Sequence, residues 1–492
     1  MKKNKIIFAI IGILLLSSCE DFLDVKPSNS ADSATSILTV DDAKVAMSGI
    51  MRNMTSYNYY GRNFLIYADA KGGDFAIASA GRGLDGLYQF NHSQTSGSYS
   101  GYWNHLYQCI LQVNNLLENI EKIEAAGNGT NQLLEYKGQA LTARALIYFD
   151  LVRLYGKPYN MDKTSLGVPL ELEVVDAAAQ PTRATVEAVY NQVVADLVAG
   201  APLMSKSIQK GYINYYANMA IQARVYLHMD NFTAALAAAE TIINDGVYSL
   251  YDNDKWYDSW SNEFGSESIL EIAMNENEGD LGGSSLGYYL LPLGHITGAS
   301  GWFMASDYYL DRLNEDPTDV RWSVMAEDET STDVEPRFGS CMKYVGGHDM
   351  KGDKGKASAT NVKVIRLSEI YLIAAEAALR LPSPNKIKAK DYLNEIRKRA
   401  PALEPATEAT ITLEMIIDEK SKELFTEGNR YWDMMRLGWQ IELNDDFIQP
   451  AISIPHRDKI IDRTFYKTIL PISQDEIDAN PPIGEQQNPG YN

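Results

Sequence analysis

The chain has 492 residues, a formal net charge of −21, and 30 tyrosines against 13 phenylalanines. Such acidity repels phosphate backbones and anionic bilayers, which excludes nucleic-acid binding and a basic peripheral membrane patch. Three cysteines in a chain this long form no disulfide framework, and no Cys/His spacing points to zinc.

The first 18 residues read as an export signal. Lys2, Lys3 and Lys5 precede an apolar run from Ile6 to Leu16. At 11 residues it is too short to cross a hydrocarbon core, which needs about 20. Leu16-Ser17-Ser18-Cys19 resembles the lipobox of bacterial lipoproteins. The resemblance implies cleavage before Cys19, lipidation of its thiol, and a mature charge of about −24 once the three lysines are gone. Residues 19–40, polar and containing Pro27, then form a lipidated tether.

A helix is expected over 41–54, with Asp41 as its cap and Val45, Ile50 and Met54 on its apolar stripe. Residues 55–101 show no long periodicity and are rich in Gly, Tyr, Asn and Ser. Long irregular stretches inside a compact domain are usually functional. Helical spacing returns over 102–125 and 132–155, the second apolar almost all round and therefore buried. Thr185 caps a helix over 186–199, although Ala188 leaves the capping box incomplete.

Two helical pairs follow, 214–229 with 232–244 and 367–381 with 387–400. Ala223 and Ala235, like Ala377 and Ala389, lie 12 residues apart, a spacing of small residues that suits tetratricopeptide-like hairpins. Between the pairs, residues 247–361 are aromatic and glycine-rich, with a strand-like run at 268–272 and an exposed loop at 346–360. One helix is expected over 412–440 and an extended tail over 471–492. The expected fold is mostly α, a tetratricopeptide-like hairpin scaffold with long irregular loops and a few short strands. The mature body, 41–492, divides into scaffold (41–246 and 362–440), insert (247–361) and tail (441–492).

No constellation demands an enzyme. Gly283-Ser284-Ser285-Leu286-Gly287 fits G-x-S-x-G but lacks the strand and helix that a nucleophile elbow needs. The acids of 252–263 resemble a calcium loop, yet Tyr257 stands where glycine is required. Paired carboxylates for glycoside cleavage stay open among 65 acids. If the aromatic segments 55–101 and 284–310 converge, they form a groove suited to neutral sugars, whose C–H faces stack on aromatic rings.

Several stretches together resemble the SusD/RagB family of outer-membrane nutrient-binding lipoproteins. They are Cys19-Glu20-Asp21-Phe22-Leu23-Asp24, 103–115 (WNHLYQCILQVNN), 144–159 (RALIYFDLVRLYGKPY), 366–376 (RLSEIYLIAAE), 419–438 (EKSKELFTEGNRYWDMMRLG) and Gln487-Asn488-Pro489-Gly490-Tyr491. The resemblance implies a non-catalytic oligosaccharide-binding protein without cofactor or metal. It implies lipid anchoring at the outer membrane, facing outward, with the protein as lid on a SusC-like TonB-dependent barrel. Glu20 and Asp21 look like the family's surface-export signal. The same resemblance places ligand contacts at Asp74, Arg82, Tyr288, Tyr289 and Trp302, with Tyr99 standing in for a tryptophan of the starch-binding members. It makes Arg144, Arg366 and Glu369 buried, paired scaffold residues. Peptide or another nutrient as ligand, a surface glycosidase and a protein-only adaptor are the alternatives.

Overall fold

Helix starts in this chain follow side-chain caps. The computed structural model describes residues 37–77, 84–95, 97–176, 178–274, 285–295, 299–346, 360–445 and 459–491. Cys19, the tether up to 36 and Arg82 lie outside these residues. Helix α1 (Val40–Met54) is capped by Thr39, not Asp41: the Thr39 hydroxyl accepts the Asp42 N–H at 3.2 Å, and the Asp42 carboxylate accepts the Thr39 N–H at 2.9 Å. This reciprocal pair satisfies two otherwise orphaned donors, an advantage that Asp41 cannot match from inside the first turn. A short helix α2 (Asn63–Ala70) and a strand β1 (Phe75–Ile77) order part of the first irregular segment. Helix α3 (Gly97–Ala125) begins five residues earlier than its apolar stripe suggested. Thr130 caps α4 (Asn131–Tyr155), in which every residue from 142 to 152 is buried. Thr185 caps α5 (Val186–Gly200) through the Ala188 N–H at 3.2 Å.

The hairpins form as the spacing predicts. Helices α6 (Tyr215–His228) and α7 (Phe232–Asp245) make one pair, and α10 (Leu367–Leu379) with α11 (Lys386–Arg397) another. Ala223, Ala235, Ala377 and Ala389 are all fully buried. With methyl groups at these crossings, α7 packs against both α6 and α10. In the insert lie β2 (Ser268–Ile272), a short helix α8 (Leu286–Leu290), β3 (Phe303–Ala305) and α9 (Asp307–Leu313). Strand β2 runs antiparallel to β4 (Val362–Arg366), the strand that leads straight into α10.

The helix expected over 412–440 is instead two, α12 (Leu413–Glu423) and α13 (Arg430–Leu437). Thr426 and Gly428 take positive φ angles of 69° and 76°, which end the helix between them. A Cβ on Gly428 would stand 2.6 Å from Leu65 Cδ2, and the freed N–H groups of Gly428 and Asn429 donate to Asp69 at 2.7 and 3.2 Å. The tail also departs from the extended reading: Gln474–Ala479 and Pro481–Gly484 are helical. Arg183 ties the tail down through the Gln486 carbonyl and the Asn488 side chain, at 2.6 and 2.9 Å.

Buried charges knit the scaffold together and join the insert to it. Arg144 grips Asp196 with two bonds at 2.7 and 2.8 Å, and Arg224 holds Glu369 with two at 2.5 Å. Arg366, the last residue of β4, reaches Glu427 at 2.8 Å, Glu267 at 2.9 Å and Glu423 at 3.1 Å. Arg321 bonds Asp319 and Glu419 at 2.6 Å, and Lys343 bonds Glu427 at 2.8 Å. Burial pushes the Glu423 carboxyl up, but Arg399, Arg366 and Arg321 outweigh it and hold it at about 2. Burial opposes Arg366 and Lys343 in the same way at Glu427, which also ends below its ordinary value.

Carboxylates whose folded-state pKa lies below the unfolded one stabilise the fold above the unfolded value, and that contribution is lost as pH falls through the folded value. The melting temperature is therefore expected to drop as the buffer goes from about pH 4.5 toward pH 2, beyond the loss from surface carboxylates alone. Arg366→Ala strands Glu423 and Glu427 and is expected to cost about 3–5 kcal/mol in urea unfolding at pH 7. A change within about 0.5 kcal/mol, the range of an ordinary surface substitution, would contradict this reading.

Candidate functional site

The two aromatic segments do converge. Strand β1 pairs antiparallel with β3, in the register Phe75↔Ala305, Ala76↔Met304 and Ile77↔Phe303. The Ser306 N–H and hydroxyl extend the ribbon by donating to the carbonyls of Asp74 and Gly73, at 2.8 and 2.9 Å. On the far side of the ribbon, the turn that carries Tyr288 and Tyr289 is closed by backbone bonds. Ser300 N–H donates to the Tyr288 carbonyl at 2.7 Å, and Trp302 N–H to that of Tyr289 at 3.2 Å. Gly301, between them, has φ +54°, and a Cβ there would lie 2.7 Å from the Leu293 nitrogen. Only glycine fits without strain.

From this frame rises a column of flat groups. Phe75 stacks on Phe303 at 5.5 Å between centroids, Phe303 on Trp302 at 5.7 Å, and Trp302 on Tyr289 at 5.8 Å with 18° between planes. The Arg62 guanidinium then lies 4.6 Å over the Tyr289 ring and 5.1 Å over that of Tyr57. Its Nη1 also donates to the Tyr289 hydroxyl at 3.2 Å, and its Nε to Asn63 Oδ1 at 2.8 Å. Cation–π attraction to two rings at once holds the tyrosines at a set separation. Exposure grades along the column: Trp302 is fully buried, Tyr289 half-buried, and Tyr57 is 39% exposed. Beside Tyr57, Asn58 is half-buried against the start of α3, where a Cβ on Gly101 would stand 2.9 Å from its Oδ1.

The residues expected at the ligand are distributed unevenly over this geometry. Tyr288 and Tyr289 are both half-buried on the turn, Tyr289 in the column and Tyr288 against a small second core with Trp256 and Trp260. Trp302 backs Tyr289 from below and presents no free face. Asp74 departs furthest from a ligand-facing position, at 2% exposure. Its carboxylate pairs with Arg312, accepts the Ser421 hydroxyl at 2.6 Å and lies 3.4 Å from Arg430 Nε. Burial raises the Asp74 pKa, yet Arg312, Arg430 and Ser421 bring it below the ordinary carboxylate value. The acid is thus sealed into the frame. Tyr99 falls in the first turn of α3, where side chains up to 100 lie outside the described residues, as does all of Arg82.

The sequence does not single out Tyr57, Asn58 or Arg62. Tyr57-Asn58-Tyr59-Tyr60 offered an aromatic signal without distinguishing its members. Tyr59 and Tyr60 turn inward and donate to Asp150 at 2.5 and 2.7 Å, which leaves Tyr57 outside. Among the described residues, no group of three or more His, Cys, Asp or Glu is placed to hold a metal ion. Ser285, within the G-x-S-x-G match, is buried ahead of α8.

Comparison with known proteins places this architecture. A model described as "SusD family" matches residues 250–491, and one described as "Starch-binding associating with outer membrane" matches 21–227. A crystal structure of a SusD superfamily protein from Bacteroides thetaiotaomicron VPI-5482 superposes with a TM-score of 0.84 at 33% identity, covering 92% of this chain and 100% of that one. A SusD-like protein of Formosa agariphila is 24% identical over 501 residues, spanning 90% of this chain and 93% of its own. The starch-binding protein SusD of Bacteroides thetaiotaomicron is 37% identical over 79 residues, 16% of this chain and 13% of that protein. With helical hairpins, insert and matched sequence in agreement, the chain belongs to the SusD family.

Proposed function

We propose that the protein captures oligosaccharides, without catalysis, on the face formed by Tyr57, Arg62 and Tyr289. It passes them to a SusC-like TonB-dependent barrel on which it acts as lid. The observation that carries this reading is the column itself: two tyrosines spaced by a guanidinium and backed by Trp302. A ring supported from behind keeps its orientation, so stacking a pyranose on it costs little side-chain entropy. The buried, ion-paired Asp74 favours binding over acid–base chemistry at this face. The starch-binding description of the matched N-terminal model and the name of the starch-binding relative support a glycan rather than a peptide. Attachment follows from lipidation of Cys19, with the stretch between it and the body at Ile37 as the tether and the site facing the cell exterior.

Isothermal titration against a panel of neutral oligosaccharides tests the site. Tyr57→Ala and Tyr289→Ala are each expected to weaken binding by about 0.5–1.5 kcal/mol, roughly 2- to 13-fold, with the melting temperature nearly unchanged for the exposed Tyr57. Binding of peptides in place of every glycan would overturn the proposal, and release of reducing ends from a glycan would replace it with a glycosidase. Asp74→Ala is expected to behave differently. It strands Arg312 inside the protein and lowers stability by about 3–5 kcal/mol, so that any binding loss is accompanied by a lower denaturation midpoint. Cys19→Ala is expected to release the protein from the membrane fraction, and unaltered retention would contradict the anchor.

A further inference from the structure

A cavity that shares no lining residue with the aromatic column lies where two of the most distinctive sequence stretches meet. The end of α4 and the following Gly156-Lys157-Pro158 form one wall, and α13 forms the other. The cavity has a volume of about 20 Å³, and its lining includes Arg153, Lys157, Tyr190, His228, Trp432 and Arg436. No acidic side chain lines it, in a chain whose net charge is −21.

Two buried donors among the lining residues have no acceptor. The Arg153 side chain is 7% exposed and Trp432 is 4% exposed, yet Arg153 Nε–H and Trp432 Nε1–H have no hydrogen-bond partner. The guanidinium stands 4.7 Å over the Trp432 ring, so both donors belong to one stacked unit. That unit is rigid: Arg153 also pairs with Asp150 and stacks on Phe149 at 4.0 Å, while Trp432 stacks on Phe64 at 5.9 Å and on Tyr67 at 5.6 Å. Arg436 is committed elsewhere, to Glu376 at 2.5 Å and Asp433 at 2.9 Å, and contributes field rather than a donor. Lys157, at the half-buried rim, reaches Asp162 at 3.2 Å. His228 packs edge-on to Phe149, and burial together with Arg153 and Arg436 holds its imidazole neutral. Buried polar groups normally find partners, and donors left over in a positively lined cavity call for an acceptor from outside.

We infer that this cavity is a small-oxyanion site, in which a carboxylate or phosphate group accepts Arg153 Nε–H and Trp432 Nε1–H while Lys157 closes over it from the rim. The counter-ions Asp150, Glu376 and Asp433 sit behind the lining residues, so the site offers oriented donors rather than a large excess of charge. The enclosed space takes only one or two water-sized atoms, enough for the oxygens of such a group entering from the rim and too little for a sugar ring, which separates it from the glycan face.

The test is a thermal-shift and tryptophan-fluorescence titration of the purified protein with sodium acetate and, in parallel, inorganic phosphate, each at constant ionic strength against sodium chloride. A saturable response to either is expected. Acetate alone identifies a carboxylate ligand, phosphate alone a phosphate ester, and both a general oxyanion site. Trp432→Phe keeps a six-membered ring in the stack and removes the N–H together with the five-membered ring, and it is expected to weaken the response at least tenfold, with the melting temperature measured alongside to separate this from lost packing. Lys157→Gln, on the rim and outside the core, is expected to weaken it several-fold in a protein with unchanged melting temperature. No saturable response to either anion over chloride, or equal affinity in parent and Trp432→Phe, would overturn the inference.

Discussion

The Asp74 carboxylate is the point on which the candidate site depends. It precedes β1 and is reached by Arg312 from α9, by Ser421 from α12 and by Arg430 from α13. Four elements, drawn from three stretches far apart in sequence, are therefore fixed at one buried anion. Removing one partner from such a pair leaves a charge in a medium that cannot solvate it, a far larger penalty than the pair's net contribution. The β1–β3 ribbon is only three residues long on each side, too short to stand alone. Asp74 holds one end of it, and the stacked rings of Phe75, Phe303 and Trp302 pack along it.

The same principle recurs on a larger scale. The insert has little periodic structure with which to pack against the helices. It is held by Glu267, Asp319, Arg321 and Lys343, which interlock with Arg366, Glu419, Glu423 and Glu427 of the scaffold. Helical hairpins supply an apolar body through alanine crossings, and buried ion pairs attach the irregular, aromatic segments to it. Long loops can then be ordered enough to present rings at set spacings while remaining free of regular structure.

Much of the scaffold is legible in the sequence because its signals are local. Thr130, Thr185 and Thr412 cap helices within three residues of themselves, and the alanine spacing of the hairpins is set by helix geometry. The break at 424–429 is illegible for the opposite reason. Its causes, Leu65 against Gly428 and Asp69 beneath the Gly428 and Asn429 amides, lie some 360 residues away along the chain. The site divides in the same manner. Aromatic enrichment identifies the two segments that converge, and Tyr289 stands in the column. Which tyrosine of Tyr57-Asn58-Tyr59-Tyr60 faces out is decided by Asp150 on α4, which takes the other two hydroxyls. Whether an acid meets ligand or scaffold is likewise decided by its neighbours: Asp74 has the chemistry of a sugar contact and the surroundings of a buried anchor.

The most direct test of the account is a crystal structure of the protein with an oligosaccharide bound. The account predicts a sugar ring stacked on the exposed face at Tyr57 and Tyr289, with Trp302 still buried behind Tyr289 and Asp74 still paired with Arg312. A sugar seated elsewhere on the molecule, with the Tyr57–Arg62–Tyr289 face empty, would contradict it.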